Sequence, residues 1–399
     1  LLQRIPELKV TLLHPGTQYS HHLARELTRL KMLDKFITSF VVSENSILNK
    51  LFHGLLTNRV LLGISYDCFK TYPDIEFSYW IEAILNRDQE YLLYKRNSRF
   101  QDRIIKNDLK DKPVIIGFDT SSWKLAEHCQ KTGQEFILDV SIGHPLSKEK
   151  VFEKLRTDFP LWKDGIPRKN EGLVALEQME LQSASKIVVP SNFVKRTLIE
   201  NNISPNKIFV NPFGTSLFTP YIEARKTDKK LIFLFFGSLT ARKGLPTLLN
   251  AWKALGEEEA ELIIAGYGNI PKNVSIPENV KILGAILPEK RAQLYAQADV
   301  FVFPSFFEGF AQVQVEAAAC GLPIIGTQNS GAEEIIQDGY NGFIVEPGNI
   351  DQLVSAMRFF VKNREKLAVM SAKVRERIDF FSWNSYGNRW KAILETKLS

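Results

Sequence analysis

LIFLFFGSLTARKGLPTLLNAWKAL, residues 231–255, reads as a strand, a glycine-containing turn and a helix. Leu231–Phe236 is six apolar residues in a row, the pattern of a central strand covered on both faces. Leu245–Leu255 carries apolar residues at helical spacing. Downstream the rhythm repeats. Strands are expected at Ala260–Ala265, Val280–Leu283, Val300–Phe303, Pro323–Gly326 and Gly342–Val345, with helices between them. Such a succession closes into a parallel sheet with helices on both faces.

The same rhythm runs upstream. Lys9–Leu13, Pro113–Phe118, Glu135–Val140 and Lys186–Val189 read as strands, and Ser20–Leu33, Ser122–Lys131 and Asn192–Asn201 as helices. It breaks at Asn211–Asp228, where Pro212, Gly214 and Pro220 precede a polar run, so a linker is expected there. The fold class is therefore α/β, with two Rossmann-like doubly wound domains facing a cleft. Residues 1–212 form the first domain and residues 213–380 the second. Residues 45–111 leave the rhythm and read as a helical insert. Between Asn86 and Lys112 it holds eight Lys/Arg against five Asp/Glu, a solvated face or one turned to an acceptor or a membrane.

The 399 residues suit two domains. A hydrophobic content of 44% against 24% charged supports packed cores. A formal charge of +6 favours anionic partners: a phosphorylated ligand, an acidic membrane surface or nucleic acid. The basic residues are dispersed and no nucleic-acid motif is present, so nucleic acid ranks last. Cys68, Cys129 and Cys320 are odd in number and far apart, without metal-ligand spacing, which points to a reducing compartment and no structural zinc. Leu1 to Glu7 is not followed by an apolar signal core, and no apolar stretch approaches the roughly 20 residues that span a bilayer.

Four stretches carry chemistry. In Gly237-Ser238-Leu239-Thr240-Ala241-Arg242-Lys243-Gly244, two cations stand at a helix start, where the helix dipole disfavours them unless an anion is bound. Arg offers a planar fork to phosphate oxygens and Lys a point charge. In residues 303–317, a loop carboxylate, Glu308, precedes a helical one, Glu316, by eight positions. Gly309, Phe310, Ala311 and Gln312 lie between them, at a helix start reaching Val313. Glu316 sits among Val313, Val315 and Ala317, so burial there demands a partner. Gly266 and Gly268 close a strand in a glycine turn. His144, between Gly143 and Pro145 after the strand 135–140, would project into the cleft.

Missing motifs narrow the field. There is no G-x-G-x-x-G fingerprint and no P-loop. No nucleophile elbow is present either. No Asp-x-Asp triplet indicates a carboxylate-held divalent metal.

Arg242-Lys243-Gly244, the Glu308-x7-Glu316 pair and the following Ala319-Cys320-Gly321-Leu322-Pro323-Ile324 resemble the retaining glycosyltransferase family 4, whose fold is called GT-B. Val189-Pro190-Ser191-Asn192, Asn211-Pro212-Phe213-Gly214 and Asp338-Gly339-Tyr340-Asn341-Gly342 add to it. The likeness is strong over residues 186–361. It implies transfer of a sugar from a nucleotide diphosphate, a UDP-sugar ahead of a GDP-sugar, without a metal. It implies that Arg242 and Lys243 bind the diphosphate and Glu316 the ribose. Glu308 and the amides of Gly309 to Ala311 would contact the sugar, with His144 near it. Gly237 and Ser238 belong to the donor site, Gly266 and Gly268 with Leu283 and Ala285 would line the base, and Gly16 and Thr17 would approach from the first domain. Residues 381–399 would form a helix crossing back to that domain. The acceptor would be a sugar, a glycan or a lipid-linked molecule; a cytoplasmic location fits the cysteines and the donor supply, and peripheral contact with an anionic membrane, for a lipid-linked acceptor, fits the basic first-domain segments. His14-Pro15-Gly16-Thr17 departs from the family's frequent Gly-Gly turn, and Ala311-Gln312-Val313-Gln314 from its Gly-Leu stretch. Rival readings are a sugar-nucleotide epimerase or a phosphorylase on the same scaffold, and a non-catalytic nucleotide-sugar or lipid binder.

Overall fold

The computed structural model describes residues 8–17, 19–42, 59, 63–85, 88–109, 114–216, 230–256 and 258–396. Most of the expected linker and the first part of the insert lie outside these residues.

The first sheet holds seven parallel strands: β1 (Val10–Leu13), β2 (Leu33–Thr38), β3 (Phe69–Thr71), β4 (Val114–Phe118), β5 (Glu135–Asp139), β6 (Lys186–Val189) and β7 (Ile208–Val210). Their order is β3-β2-β1-β4-β5-β6-β7. The second holds six: β8 (Leu231–Phe236), β9 (Ala260–Ala265), β10 (Val280–Gly284), β11 (Val300–Phe303), β12 (Ile324–Thr327) and β13 (Gly342–Val345), in the order β10-β9-β8-β11-β12-β13. In both, the order reverses beside the first strand, the switch point at which doubly wound sheets open a crevice beyond the strands' carboxyl ends. β8 is central, as its unbroken apolar run requires, paired with β9 on one side and β11 on the other.

Three strands escape the sequence pattern. β2 is LDKFIT, where Asp34 and Lys35 break the apolar run, so the apolar spacing of the preceding helix α1 (Ser20–Arg29) runs on to Leu33 in the sequence although the helix ends at Arg29. β3 falls inside the segment expected to be helical and forms a sheet edge, with only three residues. β7 is an equally short strand at the opposite edge. The rest of the described insert is helical: α2 (Pro73–Leu85) and α3 (Gln89–Asn107), with Asp88 capping α3 by accepting from the Tyr91 amide.

Four helices complete the first domain, α4 (Trp123–Thr132), α5 (Pro145–Asp158), α6 (Glu171–Ser183) and α7 (Asn192–Ile199), and α8 (Leu245–Leu255) opens the second domain's set. Next come α9 (Arg291–Ala296), α10 (Gln312–Ala319), α11 (Ile350–Lys362) and α12 (Glu365–Arg375), and the last is α13 (Trp383–Glu395). Ser382 caps α13 by accepting from the Ser385 amide at 3.1 Å. That polar cap, after the aromatic break 380–383, starts the helix two residues before Ser385.

α13 packs on the first domain. A Cβ on Gly387 would lie 2.5–2.9 Å from the Glu26 side chain of α1, so only glycine permits this approach. Arg29 donates to Asn388 Oδ1 at 2.9 Å. Buried Lys186 of β6 donates to Thr396 O at 2.6 Å. Arg389 donates to Asn211 Oδ1 and Pro212 O, both at 2.7 Å. Tyr386 donates to Asp139 Oδ2 at the end of β5.

Candidate active site

The loops beyond β5 and β11 meet. A Cβ on Gly309 would fall 1.7 Å from the carbonyl oxygen of Ser141, so any larger residue would push the two domains apart. Ser191 donates to Gly309 O at 2.6 Å. Phe193 stands edge-on to Phe307 at 5.1 Å. Glu334 accepts from the Asn192 amide at 2.7 Å, and Arg196 pairs with Glu333 at 2.7 Å. Gln312 donates to Gly214 O at 3.3 Å.

Between these contacts lies a cavity of about 480 Å³. The second domain lines it with Gly237, Lys243, Phe303, Glu308, Phe310, Ala311, Gln312 and Val313, and the first with Tyr19, His22 and Ser141, together with Phe213 of the connection. Lys243 lies at 5.3 Å over the Phe303 ring and forms an ion pair with Glu308 Oε1. Burial draws its ammonium below the usual lysine range, and the Glu308 carboxylate pulls it back up. Arg242 pairs with the same Glu308 oxygen and donates to Phe307 O at 2.9 Å. Its own carbonyl accepts from Phe306 N at 2.8 Å and Ser305 Oγ at 2.9 Å. Arg242 thus fixes the loop 305–308, while Lys243 faces the cavity. Gly244 makes the turn possible: its φ is +77°, and a Cβ there would meet Pro304 O at 1.9 Å. Two cations on one carboxylate leave a net positive charge at the wall, which suits an anion better than it suits empty solvent.

Glu316 is buried one helix below. Its Oε2 accepts from Tyr295 OH at 2.7 Å, and Arg291 stands 3.5 Å from Oε1. Burial raises this carboxyl above the usual range, opposed by Tyr295 and Arg291. The partner demanded by its apolar helix is therefore a tyrosine 21 positions upstream, which helical spacing could not reveal.

The other expected residues are placed as follows. Gly266 and Gly268, and Leu283 and Ala285, follow or end β9 and β10; Gly268, Leu283 and Ala285 are exposed, and none of the four lines the cavity. Ser238 is half-buried in the turn after β8, its carbonyl accepting from Thr240 N at 2.9 Å. Gly16 and Thr17 follow β1 and do not line the cavity. The Gly16 amide donates to His14 Nδ1 at 3.0 Å, and burial pushes His14 down to about 3. His144 does not project into the cleft. It is buried as the cap of α5, its Nδ1 accepting from Leu146 N at 3.3 Å, and burial pushes it down to about 4. A histidine before proline at a helix start is a capping position, and that local role takes the ring.

Tyr19, His22 and Phe213 were not legible as site residues. Tyr19 packs on Phe213 at 4.3 Å and donates to Asp139 Oδ1. His22 stacks on Trp383 at 3.8 Å. Trp383 and Tyr386 of α13 back His22 and Phe213 at the cleft.

Residues 222–377 match the model of the family described as glycosyl transferases group 1. The likeness to glycosyl transferases group 1 is confined to this stretch of the second half of the chain. Among its relatives, the MMP alpha-(1->4)-mannosyltransferase of Mycolicibacterium hassiacum is 26% identical over 277 residues, 66% of this chain and 66% of that protein. The capsular polysaccharide biosynthesis glycosyltransferase CapM of Staphylococcus aureus is 24% identical, over 52% of this chain and 60% of that protein. The matched stretch spans less than two thirds of either relative. Solved structures agree over nearly the whole chain. Sucrose-phosphate synthase of Thermosynechococcus elongatus superposes with a TM-score of 0.67 at 19% identity, covering 97% of this chain and 98% of that one. Anabaena HepE in complex with UDP and glucose gives 0.61 at 15% identity, covering 98% and 100%. The fold is thus a GT-B architecture of two Rossmann-like parallel sheets.

Proposed function

We propose that the chain is a retaining, metal-independent glycosyltransferase of the family 4 type, moving a sugar from a nucleotide diphosphate sugar to an acceptor hydroxyl in glycan, polysaccharide or glycolipid synthesis. The observation that carries this reading is the placement of Lys243, Glu308, Phe310 and Ala311 on one cavity between the two sheets. The named activities of the relatives agree with it.

In the proposed reaction the bond from the anomeric carbon to the leaving phosphate oxygen breaks, and the acceptor oxygen bonds to that carbon on the same face. The acceptor proton passes to the departing phosphate. Negative charge grows on the diphosphate, and Lys243 is already held where it can neutralise it, which is electrostatic preorganisation. Arg242 keeps the loop in place and shares Glu308, so a donor need only draw the cations toward its phosphates. Glu308 is then released to accept from sugar hydroxyls, and Glu316 to accept from ribose. Uridine is the proposed base, supported by the UDP held in the HepE structure. The product should keep the donor's anomeric configuration, and its rate should be indifferent to EDTA. Proton NMR of the new linkage checks the first and an initial-rate assay the second. An inverted product, or activity abolished by EDTA and restored by Mg²⁺, contradicts the mechanism.

The proposal extends to peripheral contact with an anionic membrane from the cytoplasmic side. Among the described residues no helix is long and apolar enough to cross a membrane. On α2, Ile81, Ile84 and Leu85 are exposed, and the neighbouring α3 carries Lys95, Arg99 and Arg103. Vesicles rich in anionic lipid should float the protein at low salt and release it at high salt. Failure to float removes this part of the reading.

A further inference from the structure

The first domain lines the cavity between the sheets with three polar side chains, those of Tyr19, His22 and Ser141. Two of them are already spent. Tyr19 OH donates to Asp139 Oδ1 at 3.3 Å. Ser141 gives its amide, at 2.9 Å, and its hydroxyl, at 2.7 Å, to Asp119 Oδ2. Gly16 and Thr17, expected here from the sequence, stay off the cavity. That leaves His22.

His22 stands on the first turn of α1, and its ring is held in place by the last helix. Trp383 of α13 stacks on it at 3.8 Å, with the two planes 4° apart. Trp383 is itself clamped. Its Nε1 donates to Ser216 Oγ at 3.1 Å, and Tyr386 stands edge-on to it at 5.3 Å. A Cβ on Gly214 would lie 2.7 Å from the indole. Gly214 O in turn accepts from Gln312 at 3.3 Å, and Gln312 opens α10 and lines the cavity. His22 is thereby tied to the end of the cavity at which α10 begins.

The two ring nitrogens have different fates. Arg25 Nη2 donates to His22 Nδ1 at 2.9 Å. A guanidinium has no acceptor, so Nδ1 is the bare nitrogen and the ring proton sits on Nε2. Burial pushes the ring down to about 4, and Arg25 adds to the fall, so at neutral pH the imidazole carries no charge. Among the described residues Nε2 has no partner. Of the side-chain donors on this wall, the Nε2–H alone is left over.

We propose that His22 is a donor-recognising residue whose Nε2–H hydrogen-bonds the phosphate that carries the sugar. The proposal rests on the transferase reading above and adds a first-domain contact to it. In that reading the nucleoside lies on the second domain beside Glu316, so the phosphate that reaches the opposite wall is the sugar-bearing one. An ionised phosphate offers acceptors to a donor of this kind, and a hydrogen bond to a charged group is among the stronger ones. Lys243 and His22 then hold the diphosphate from two domains, and His22 does so without adding a third positive charge beside Arg242 and Lys243. Trp383 is the positioning residue in this arrangement, which makes α13 a support of the site.

The test is isothermal titration of UDP and UMP, with GDP and GMP run alongside, and a thermal melt of each variant. UMP lacks the sugar-bearing phosphate. His22→Phe keeps a ring on Trp383 and removes both nitrogens. It should weaken UDP by about tenfold or more, the scale of one hydrogen bond to a charged group. UMP should stay within about twofold, as expected for a ligand that does not make the contact. His22→Ala makes the same deletion without needing room for a phenyl ring, and carries the test if His22→Phe does not fold. His22→Gln returns an N–H near the place of Nε2 and should recover most of the preference for UDP. An unchanged preference for UDP over UMP in the deletions overturns the proposal, and is the result a sugar hydroxyl as the partner of His22 would give. Equal weakening of UDP and UMP overturns it as well, because His22 then only shapes the wall. So does a loss in His22→Gln equal to that in His22→Phe. If neither UDP nor GDP binds the wild type, the transferase reading falls and this assignment with it, whereas binding with an unchanged preference sinks the assignment alone.

Discussion

Lys243→Met should lower kcat/KM for sugar transfer by about 10²–10³-fold, the usual loss when one preorganised stabiliser of developing negative charge is removed. The expectation follows from position. Lys243 faces the cavity, while Arg242 is spent on Phe307 O and Glu308 and anchors the loop. Methionine keeps the stem over Phe303 and deletes the charge. The fold should survive, because the residue contributes one ion pair and no backbone contact. Steady-state kinetics with the preferred sugar nucleotide, beside a thermal melt, separate lost chemistry from lost structure. A variant retaining a third or more of wild-type kcat/KM would remove Lys243 from the mechanism.

Trp390→Ala should destabilise the protein by about 3–5 kcal/mol, as large-to-small changes at fully buried aromatic positions do. Trp390 is completely buried on α13 and faces Tyr386 at 6.5 Å. The helix is held to the first domain by Arg29, Lys186 and Tyr386, and polar ties of this kind do not refill the void left by an indole. The consequence reaches the site, since Tyr386 and Tyr19 share Asp139, and Tyr19 lines the cavity. Urea unfolding followed by fluorescence should show the midpoint falling and nucleotide affinity weakening with it. An unchanged midpoint would mean that α13 is dispensable to the first domain's stability.

The donor half of the molecule was readable because its signals are local. An unbroken apolar strand, a glycine turn and two cations lie within residues 231–244, and Glu308 and Glu316 within one further loop and helix. What that locality could not show is division of labour. Arg242 and Lys243 look equivalent in the chain, and only the carbonyl of Phe307 makes one an anchor and leaves the other on the cavity. The first domain was less legible for the same physical reason. Tyr19 and His22 reach the cleft through Phe213 and Trp383, partners almost 200 and more than 360 positions away, and no periodicity records such pairs. Asp119, one residue past the strand expected at Pro113–Phe118, carried no signal; its Oδ1 has no hydrogen-bond partner, while Oδ2 takes both Ser141 donors and Glu180 takes the Thr120 and Ser122 amides. His144 shows the converse: glycine before and proline after suggested an exposed loop, and the same residues are what make it a helix cap.

The account stands on the claim that the cleft binds a nucleotide diphosphate through protein groups. Thermal stability of the wild type and of Lys243→Met, measured with UDP, GDP and ADP in EDTA, tests it most directly. Ligand at about 100 times its dissociation constant should stabilise the wild type by ~2.7 kcal/mol. The account predicts that shift for UDP, undiminished by EDTA and reduced in the variant. No stabilisation by any of the three, or equal stabilisation of wild type and variant, would contradict it.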